Sequence, residues 1–532
     1  MKNLVSFFLF LALAAPQLAP AQRNVVLIIA DDLGTDYLGF YEDFQDTAPM
    51  PNIRKLLSRG VRFTNAMSNP VCSPTRAGIL TGRYSFRTGV GSVVGSMGDS
   101  DELDINELTI PLLLDTFLPD GIAKANFGKW HLHESITANL MNPNIMGYDH
   151  FEGIFVGELP DYFEWEELIN GVPSDVMNYA TTETTNDAIA WIGDQGTKPF
   201  FLWLAYNAPH SPYHLPPEEL HSYTLPDTPS EIMANPKAYF KASLEALDHE
   251  IGRLFDSLEV HNLLDSTDII FIGDNGNSTK TAQISSTDRA KGTIYQYGVH
   301  VPFVIAGPSV VDPGRTSEAL VNTVDLFATI LEMFGYADWP SQIPVSKPVD
   351  SKSILPILAN LSENVRPWAF TEIFKKTSDA NDGKAMRNKN FKLLHFDEDG
   401  HQELYRLSSD PDEADNLLAG TLTMQELNNY HYLCNQMTAL VGTGSYCDSA
   451  IVATKDLEGA ENSMTVYPNP FRSHIYVGAT ADVLYFELTD PIGKVVFSGK
   501  NIAQQDFSNL PPGVYFLKLM GERSKVFKLE KE

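Results

Sequence analysis

The run Val25-Val26-Leu27-Ile28-Ile29-Ala30-Asp31-Asp32 decides how this chain is read. Its unbroken apolar stretch fits a strand buried on both faces. Two carboxylates follow at once, at the carboxyl end of the strand, where open α/β sheets collect their ligands. The pattern returns along the chain. Asp268-Ile269-Ile270-Phe271-Ile272 leads into Gly273-Asp274-Asn275-Gly276, Ile122 to Phe127 into Gly128-Lys129-Trp130-His131, and Phe200 to Tyr206 into Asn207-Ala208-Pro209-His210. Helical patterns separate these runs. In one of them Leu244, Leu247, Ile251, Leu254 and Leu258 keep helical spacing on one face, which reads as core. The alternation predicts an α/β sandwich around a mostly parallel sheet. Any one polar strand end has a plain explanation, since Asp-Asn-Gly makes turns and Asp-Asp caps helices. Four on one sheet edge would converge on a single site.

The 532 residues exceed one domain of about 150 residues. With 43% hydrophobic and 20% charged residues the composition is globular. No internal run stays apolar for the roughly 20 residues of a membrane span, so none is expected in the mature chain. Against 68 Asp and Glu stand 38 Lys and Arg, a formal charge of −30. That lack of a basic surplus excludes nucleic acid as a partner and sends any anionic substrate to a local basic pocket. Met1-Lys2-Asn3, the apolar stretch Leu4 to Ala15 and Ala19-Pro20-Ala21 make a signal peptide over residues 1–21. Pro16 and Pro20 break the stretch, which is too short for an anchor. Of the three cysteines, Cys434 and Cys447 are close enough in sequence to pair, which leaves Cys72 odd.

Beyond Leu457-Glu458-Gly459 the character changes. Tyr467-Pro468-Asn469-Pro470-Phe471, strands such as His474 to Val477, Val483 to Leu488 and Val495 to Phe497, and Leu510-Pro511-Pro512-Gly513 before Val514 to Leu519 read as a small β-sandwich over 460–532. This order, ending in Lys525-Val526-Phe527-Lys528-Leu529, resembles the C-terminal sorting domain of the type IX secretion system. The resemblance implies a Bacteroidetes-type envelope, passage across the outer membrane and a secreted or surface-attached product. A carbohydrate-binding or purely structural β-module is the alternative.

Cys72 stands in Val71-Cys72-Ser73-Pro74-Thr75-Arg76-Ala77-Gly78-Ile79-Leu80-Thr81-Gly82-Arg83. Ser73 is the expected N-cap, Pro74 the first helical residue and Gly82 the stop, which puts Cys72 where free N–H groups favour an anion. Together with Asp31-Asp32, Gly128-Lys129-Trp130-His131, Pro209-His210-Ser211-Pro212, Asp274-Asn275-Gly276 and Lys291-Gly292 in that order, this stretch resembles the type I sulfatases of the alkaline-phosphatase-like superfamily. The likeness runs from about Asn24 to Pro308, and more weakly through Asp325 to about Leu418. It implies an alkaline-phosphatase-like catalytic domain over 22–345 and a smaller C-terminal α+β subdomain over 346–455.

The resemblance also implies a chemistry. A separate maturase converts Cys72 to formylglycine, whose hydrate is the nucleophile. Asp31, Asp32, Asp274, Asn275 and the modified Cys72 hold a divalent cation, and so hard an oxygen set suits Ca²⁺, with Mg²⁺ possible, and not Zn²⁺. Lys129, Lys291 and His210 surround the sulfate charge, and Arg76 orients the hydrate. His210, helped by Lys291, protonates the departing alcohol, and His131 takes up the proton when sulfate is freed. The implied substrate is a sulfated polysaccharide or oligosaccharide. A phosphate or phosphonate ester hydrolase of the same superfamily, or a non-catalytic surface glycan-binding protein, are the alternatives. One stretch departs from the family: Gln296-Tyr297-Gly298-Val299-His300-Val301-Pro302 stands where Glu-Gly-Gly-x-Arg-Val-Pro is usual. A local ion pair is thereby in doubt, and His300 is free to face substrate. His133 and His214 read as pocket-wall or surface residues, and His150 receives no role.

Overall fold

A computed structural model of the chain describes residues 23–41, 46–95, 99–133, 139–284, 286–442, 444–448, 451, 465–478, 483–491, 494–521 and 525–532. The expected signal peptide at 1–21 lies outside them. In chain order the main strands are β1 (Asn24–Ala30), β2 (Gly60–Met67), β3 (Ala123–Lys129), β4 (His150–Ile154), β5 (Trp165–Ile169), β6 (Val172–Val176), β7 (Phe200–Ala205), β8 (Thr267–Gly273), β9 (Phe303–Ala306) and β10 (Arg315–Asn322). They form one sheet in the order β10-β2-β9-β8-β1-β7-β3-β4-β5-β6.

From β8 through β1, β7 and β3 to β4 every pairing is parallel. β9 runs antiparallel between β8 and β2, which restores the common direction in β2. The β5–β6 hairpin extends the far edge. β1 lies near the middle, with Leu27 opposite Trp203 on one side and Ile270 on the other. Its side chains alternate between two cores, as period-two geometry requires. Val25, Leu27 and Ile29 join Leu326, Phe327 and Ile330 of the helix Asp325–Met333. Val26, Ile28 and Ala30 join Leu244, Leu247, Ile251, Leu254 and Leu258 of the helix Pro236–Val260. Burial on both faces explains the uninterrupted apolar run, and the parallel order brings the ends of β1, β3, β7 and β8 to one edge.

A smaller antiparallel sheet comes after it, with β11 (Ala369–Ile373), β12 (Gly383–Arg387), β13 (Phe391–Phe396) and β14 (Gln402–Arg406) side by side in sequence order. The helix Met424–Val441 comes next, and a disulfide joins Cys434 within it to Cys447. Residues 465–532 belong to a second compact unit. There β15 (Thr465–Tyr467) pairs with β16 (Tyr476–Gly478), while β17 (Val483–Thr489), β18 (Val495–Gly499), β19 (Gly513–Gly521) and β20 (Lys525–Lys531) form a sheet in the order β18-β17-β19-β20. Phe471, Ile475, Leu488, Leu517 and Leu519 are among its core residues. No helix among the described residues is long and apolar enough to cross a membrane.

The Asp325 carboxylate, at the start of a core helix, is fully buried. Arg366 donates to both of its oxygens, and the backbone N–H groups of Asn322 and Lys352 add bonds of 2.9 Å each. Removing the guanidinium strands a buried charge. Arg366→Leu is therefore expected to cost about 3–5 kcal/mol in equilibrium urea unfolding. Adding Asp325→Asn to that variant should recover part of the loss, and no recovery would show that the pair is not the cause.

Candidate active site

The polar strand ends meet. Asp31 and Asp32 follow β1, Lys129 closes β3, and Asp274 and Asn275 follow β8. Asp32 takes a positive φ of 60°, a left-handed conformation uncommon for a residue with a side chain. Its backbone N–H donates to Asp274 Oδ1 at 3.0 Å. Gly276 allows the turn after Asn275 to close, because a Cβ there would lie 1.9 Å from the carbonyl oxygen of Tyr297. Cys72 opens the helix Cys72–Thr81, which Gly82 ends in the left-handed conformation at φ 70°.

The expected capping differs. The helix begins at Cys72 with Val71 as N-cap, and Ser73 accepts the N–H of Val94 at 3.1 Å, tying a distant loop to the helix start. Cys72 thus sits in the first turn itself, where the helix dipole favours negative charge.

All three carboxylates are buried, and each faces a cation. Lys129 Nζ lies 2.6 Å from Asp31 Oδ2, and Lys291 Nζ 2.5 Å from Asp32 Oδ1. Arg76 grips Asp274 Oδ2 through Nη2 at 2.9 Å and Nε at 3.2 Å, and donates to the carbonyl of Lys129 at 2.8 Å. Burial would raise Asp32, but Lys291 and His210 outweigh it and hold the carboxyl well below its usual range. Asp274 is pushed up to about 6 by burial and by Asp31, against Arg76. Lys291 is pushed well above its ordinary value, because Asp32 overcomes the effect of burial. Burial drives the Cys72 thiol up to about 11, so the unmodified side chain is protonated at neutral pH and a poor nucleophile.

The histidines divide by contact. His131 Nε2 lies 2.8 Å from the carbonyl of Val94 and must donate, which leaves Nδ1 unprotonated. That Nδ1 is buried and has no hydrogen-bond partner among the described residues. Burial first, then Lys129 and Arg76, keep the ring neutral. His210 Nδ1 faces the carbonyl of Ser211 at 2.8 Å, so Nε2 accepts from Lys291 Nζ at 3.2 Å. His133 pairs with Glu102 at 2.6 Å, and His214 stacks on Tyr162 at 4.0 Å with its Nε2 3.0 Å from the Tyr179 hydroxyl. His150 pairs with Glu152 at 3.0 Å. His300 binds the carbonyl of Thr64 at 2.9 Å through Nε2.

Ligand atoms of Asp31, Cys72 and Asp274 lie within 4.8 Å of one another, as do those of Asp31, Asp32 and His210. Two buried oxygens here, Asp31 Oδ1 and Asn275 Oδ1, have no hydrogen-bond partner among the described residues. Arg76 is 3.9 Å from the first, beyond bonding distance. Stranding two buried acceptors is costly unless something binds them, and an oxygen-only set suits a hard divalent cation. Three carboxylates and three basic side chains balance in charge, so a divalent ion would leave the cluster net positive and receptive to an anion.

Sequence patterns missed Asn277, whose Oδ1 accepts from Gly34 at 2.6 Å, and Tyr162, whose hydroxyl donates to the carbonyls of Asn207 and His210 at 2.8 and 2.9 Å. Asn277 stands just beyond Asp274-Asn275-Gly276 and could have been suspected. Tyr162 carries no local signal.

Residues 23–336 match the sulfatase family, and the chain belongs to it, a family of sulfuric ester hydrolases with the alkaline-phosphatase-like fold. Residues 289–440 match the N-sulphoglucosamine sulphohydrolase C-terminal family, and 465–529 the secretion system C-terminal sorting domain, which is the type IX sorting domain. A sulfatase of Formosa agariphila is 27% identical, with 82% of this chain and 94% of the relative covered. Among solved structures, Ps i-CgsB in complex with k-i-k-neocarrahexaose has a TM-score of 0.65 at 22% identity, covering 79% of this chain and 93% of that one. BT4656 in complex with its substrate D-glucosamine-2-N,6-O-disulfate has a TM-score of 0.64 at 20% identity, covering 79% and 98%.

If the stranded oxygens hold a cation, calcium added to chelator-stripped protein should stabilise it by about 2.7 kcal/mol at a hundredfold excess over the dissociation constant. Thermal melting reads this directly. The gain should vanish in Asp31→Asn, and an equal gain in that variant would remove Asp31 from the ligand set.

Proposed function

We propose that this chain is an exported sulfatase that hydrolyses sulfate esters on a sulfated polysaccharide or oligosaccharide, using formylglycine made from Cys72 by a separate maturase. The carrying observation is the meeting of Cys72, three buried carboxylates and two stranded oxygens with Lys129, Lys291 and Arg76. We assign catalytic roles to Cys72, Arg76, Lys129, His131, His210 and Lys291, and cation binding to Asp31, Asp32, Cys72, Asp274 and Asn275. The cation, Ca²⁺ in preference to Mg²⁺, would polarise a sulfate oxygen, and the formylglycine hydrate would supply the nucleophile.

The chain's own groups do the rest. Lys129 and Lys291 offer positive charge to the sulfate oxygens. Arg76 holds Asp274 and the carbonyl of Lys129 in register with the helix that carries Cys72. With Nδ1 of His210 committed to Ser211, the transferable proton of that pair sits on Lys291 Nζ, which can deliver it through or beside His210 to the departing alcohol oxygen. His131 presents an unprotonated Nδ1, suited to accept the proton released when the aldehyde is restored.

The carbohydrate reading draws support from structural neighbours solved with k-i-k-neocarrahexaose and with D-glucosamine-2-N,6-O-disulfate, and export from the sorting domain. We place the signal peptide at 1–21, the catalytic domain at 22–345, its C-terminal subdomain at 346–455 and the sorting domain at 460–532, with delivery across the outer membrane to the medium or the cell surface.

Matched aryl sulfate and aryl phosphate esters test the chemistry in protein co-expressed with a formylglycine-generating maturase. Sulfate should be preferred, and Cys72→Ala should abolish turnover while the protein still melts cooperatively. Phosphate preference, or turnover surviving in Cys72→Ala, would overturn the assignment. Lys291→Met should slow sulfates of poorly acidic alcohols by about 10²–10⁴-fold, and nitrophenyl sulfate far less, because an acidic leaving group needs little proton help. Equal losses on both would remove Lys291 from leaving-group protonation.

A further inference from the structure

A cavity of about 830 Å³ lies outside the cluster just described, and none of the proposed catalytic or cation-binding residues lines it. Its walls come from distant parts of the chain: Gly34 after β1, Asn65 in β2, Gln296 and His300 before β9, and Arg387 at the end of β12. The volume falls within the range of about 300–1,000 Å³ usual for ligand pockets.

Arg387 is 3% exposed, and every acceptor around its guanidinium is neutral. Nε donates to the carbonyl of Asn388 at 3.2 Å, and Nη2 to Asn65 Oδ1 at 3.0 Å and the carbonyl of Lys389 at 3.4 Å. Nη1 reaches Gln296 Oε1 at 3.5 Å, where a glutamate would have made an ion pair. The nearby Glu413 carboxylate is engaged elsewhere, by Lys392 at 2.9 Å and by the backbone N–H of Gln296. Burial pulls Arg387 down to about 10, with Glu413 opposing. Arg289 supplies a second guanidinium on the wall, 4.4 Å over the ring of Tyr295. A buried cation whose direct partners are all amides and carbonyls is costly when the nearest carboxylate, Glu413 on the same wall, already pairs with Lys392, and here it borders open space. The amides and the Tyr295 and Tyr297 rings are surfaces that suit a sugar.

We propose that this cavity is a second anion-binding site, where Arg387 receives a sulfate or carboxylate on a sugar unit other than the one being hydrolysed. The inference rests on the glycan reading above. The placement supports it, because the same loops build both sites. Gly34 binds Asn277 Oδ1 at 2.6 Å, and the N–H of Lys291 binds the Asn277 carbonyl at 3.0 Å.

Titration calorimetry on full-length Cys72→Ala protein provides the test, with heparin, chemically desulfated heparin and κ-carrageenan as probes. At least one of these chains should bind, and adding Arg387→Met should weaken that binding by about tenfold or more. Retained binding of desulfated heparin would identify the carboxylate as the ligand, and binding of carrageenan the sulfate. If Arg387→Met fails to melt cooperatively, Arg289→Ala carries the same expectation. With Cys72 intact, Arg387→Met should leave aryl sulfate turnover unchanged while raising KM for the polymer. No binding to any of the chains, undiminished binding in the variants, or lost aryl sulfate turnover in Arg387→Met would overturn the proposal. Absence of aryl sulfate turnover in the unsubstituted enzyme would instead strike the catalytic reading and leave the binding result standing.

Discussion

The structure turns on three buried carboxylates held against three buried or nearly buried cations at the edge of one sheet. Asp31, Asp32 and Asp274 could not share that space as bare charges. Lys129, Lys291 and Arg76 make the arrangement tolerable, and each comes from a different element: the end of β3, the loop after Asn277 and the helix Cys72–Thr81. The site therefore depends on the sheet order. Were β1, β3 and β8 not parallel and close together, the compensating charges would be too far away to act. In the same way the sulfatase fold and the sulfatase chemistry place one demand on the sequence, that polar residues follow immediately on strands too apolar to lie anywhere but the centre.

That demand is why so much could be read from residues alone. β1, β7 and β8 are buried on both faces, so their sequences carry no alternation and their polar ends stand out sharply. The leucine and isoleucine stripe of Pro236–Val260 was legible for a related reason, since one helix face must cover one sheet face. Partnerships across long sequence separations were less legible. Ser73 has the chemistry of an N-cap, but a backbone N–H from the Val94 loop claims its oxygen. Local propensity lost to a tertiary hydrogen bond. The tautomers of His131 and His210 were likewise hidden, because the carbonyls of Val94 and Ser211 set them.

The departure at Gln296 and His300 shows how a family pattern can shift. His300 does not present a free ring, since Thr64 holds its Nε2. The missing acid and base are answered by residues outside the stretch: Glu413 accepts the Gln296 N–H and pairs with Lys392, while Arg387 reaches the Gln296 amide. The charged groups around this stretch lie on the smaller sheet and on the loop beyond β14 that carries Glu413.

The hydrophobic core of the second unit has its own tenants. Phe471, Leu488, Leu517 and their neighbours pack among themselves, whereas the two large cores around β1 draw their described residues from the stretch between Val25 and Val365. A protease that cut between Ile451 and Thr465 would sever the chain without splitting any of these cores. Each of these cores lies wholly on one side of such a cut, so the address label at the end of the chain shares no core cluster with the catalytic sheet.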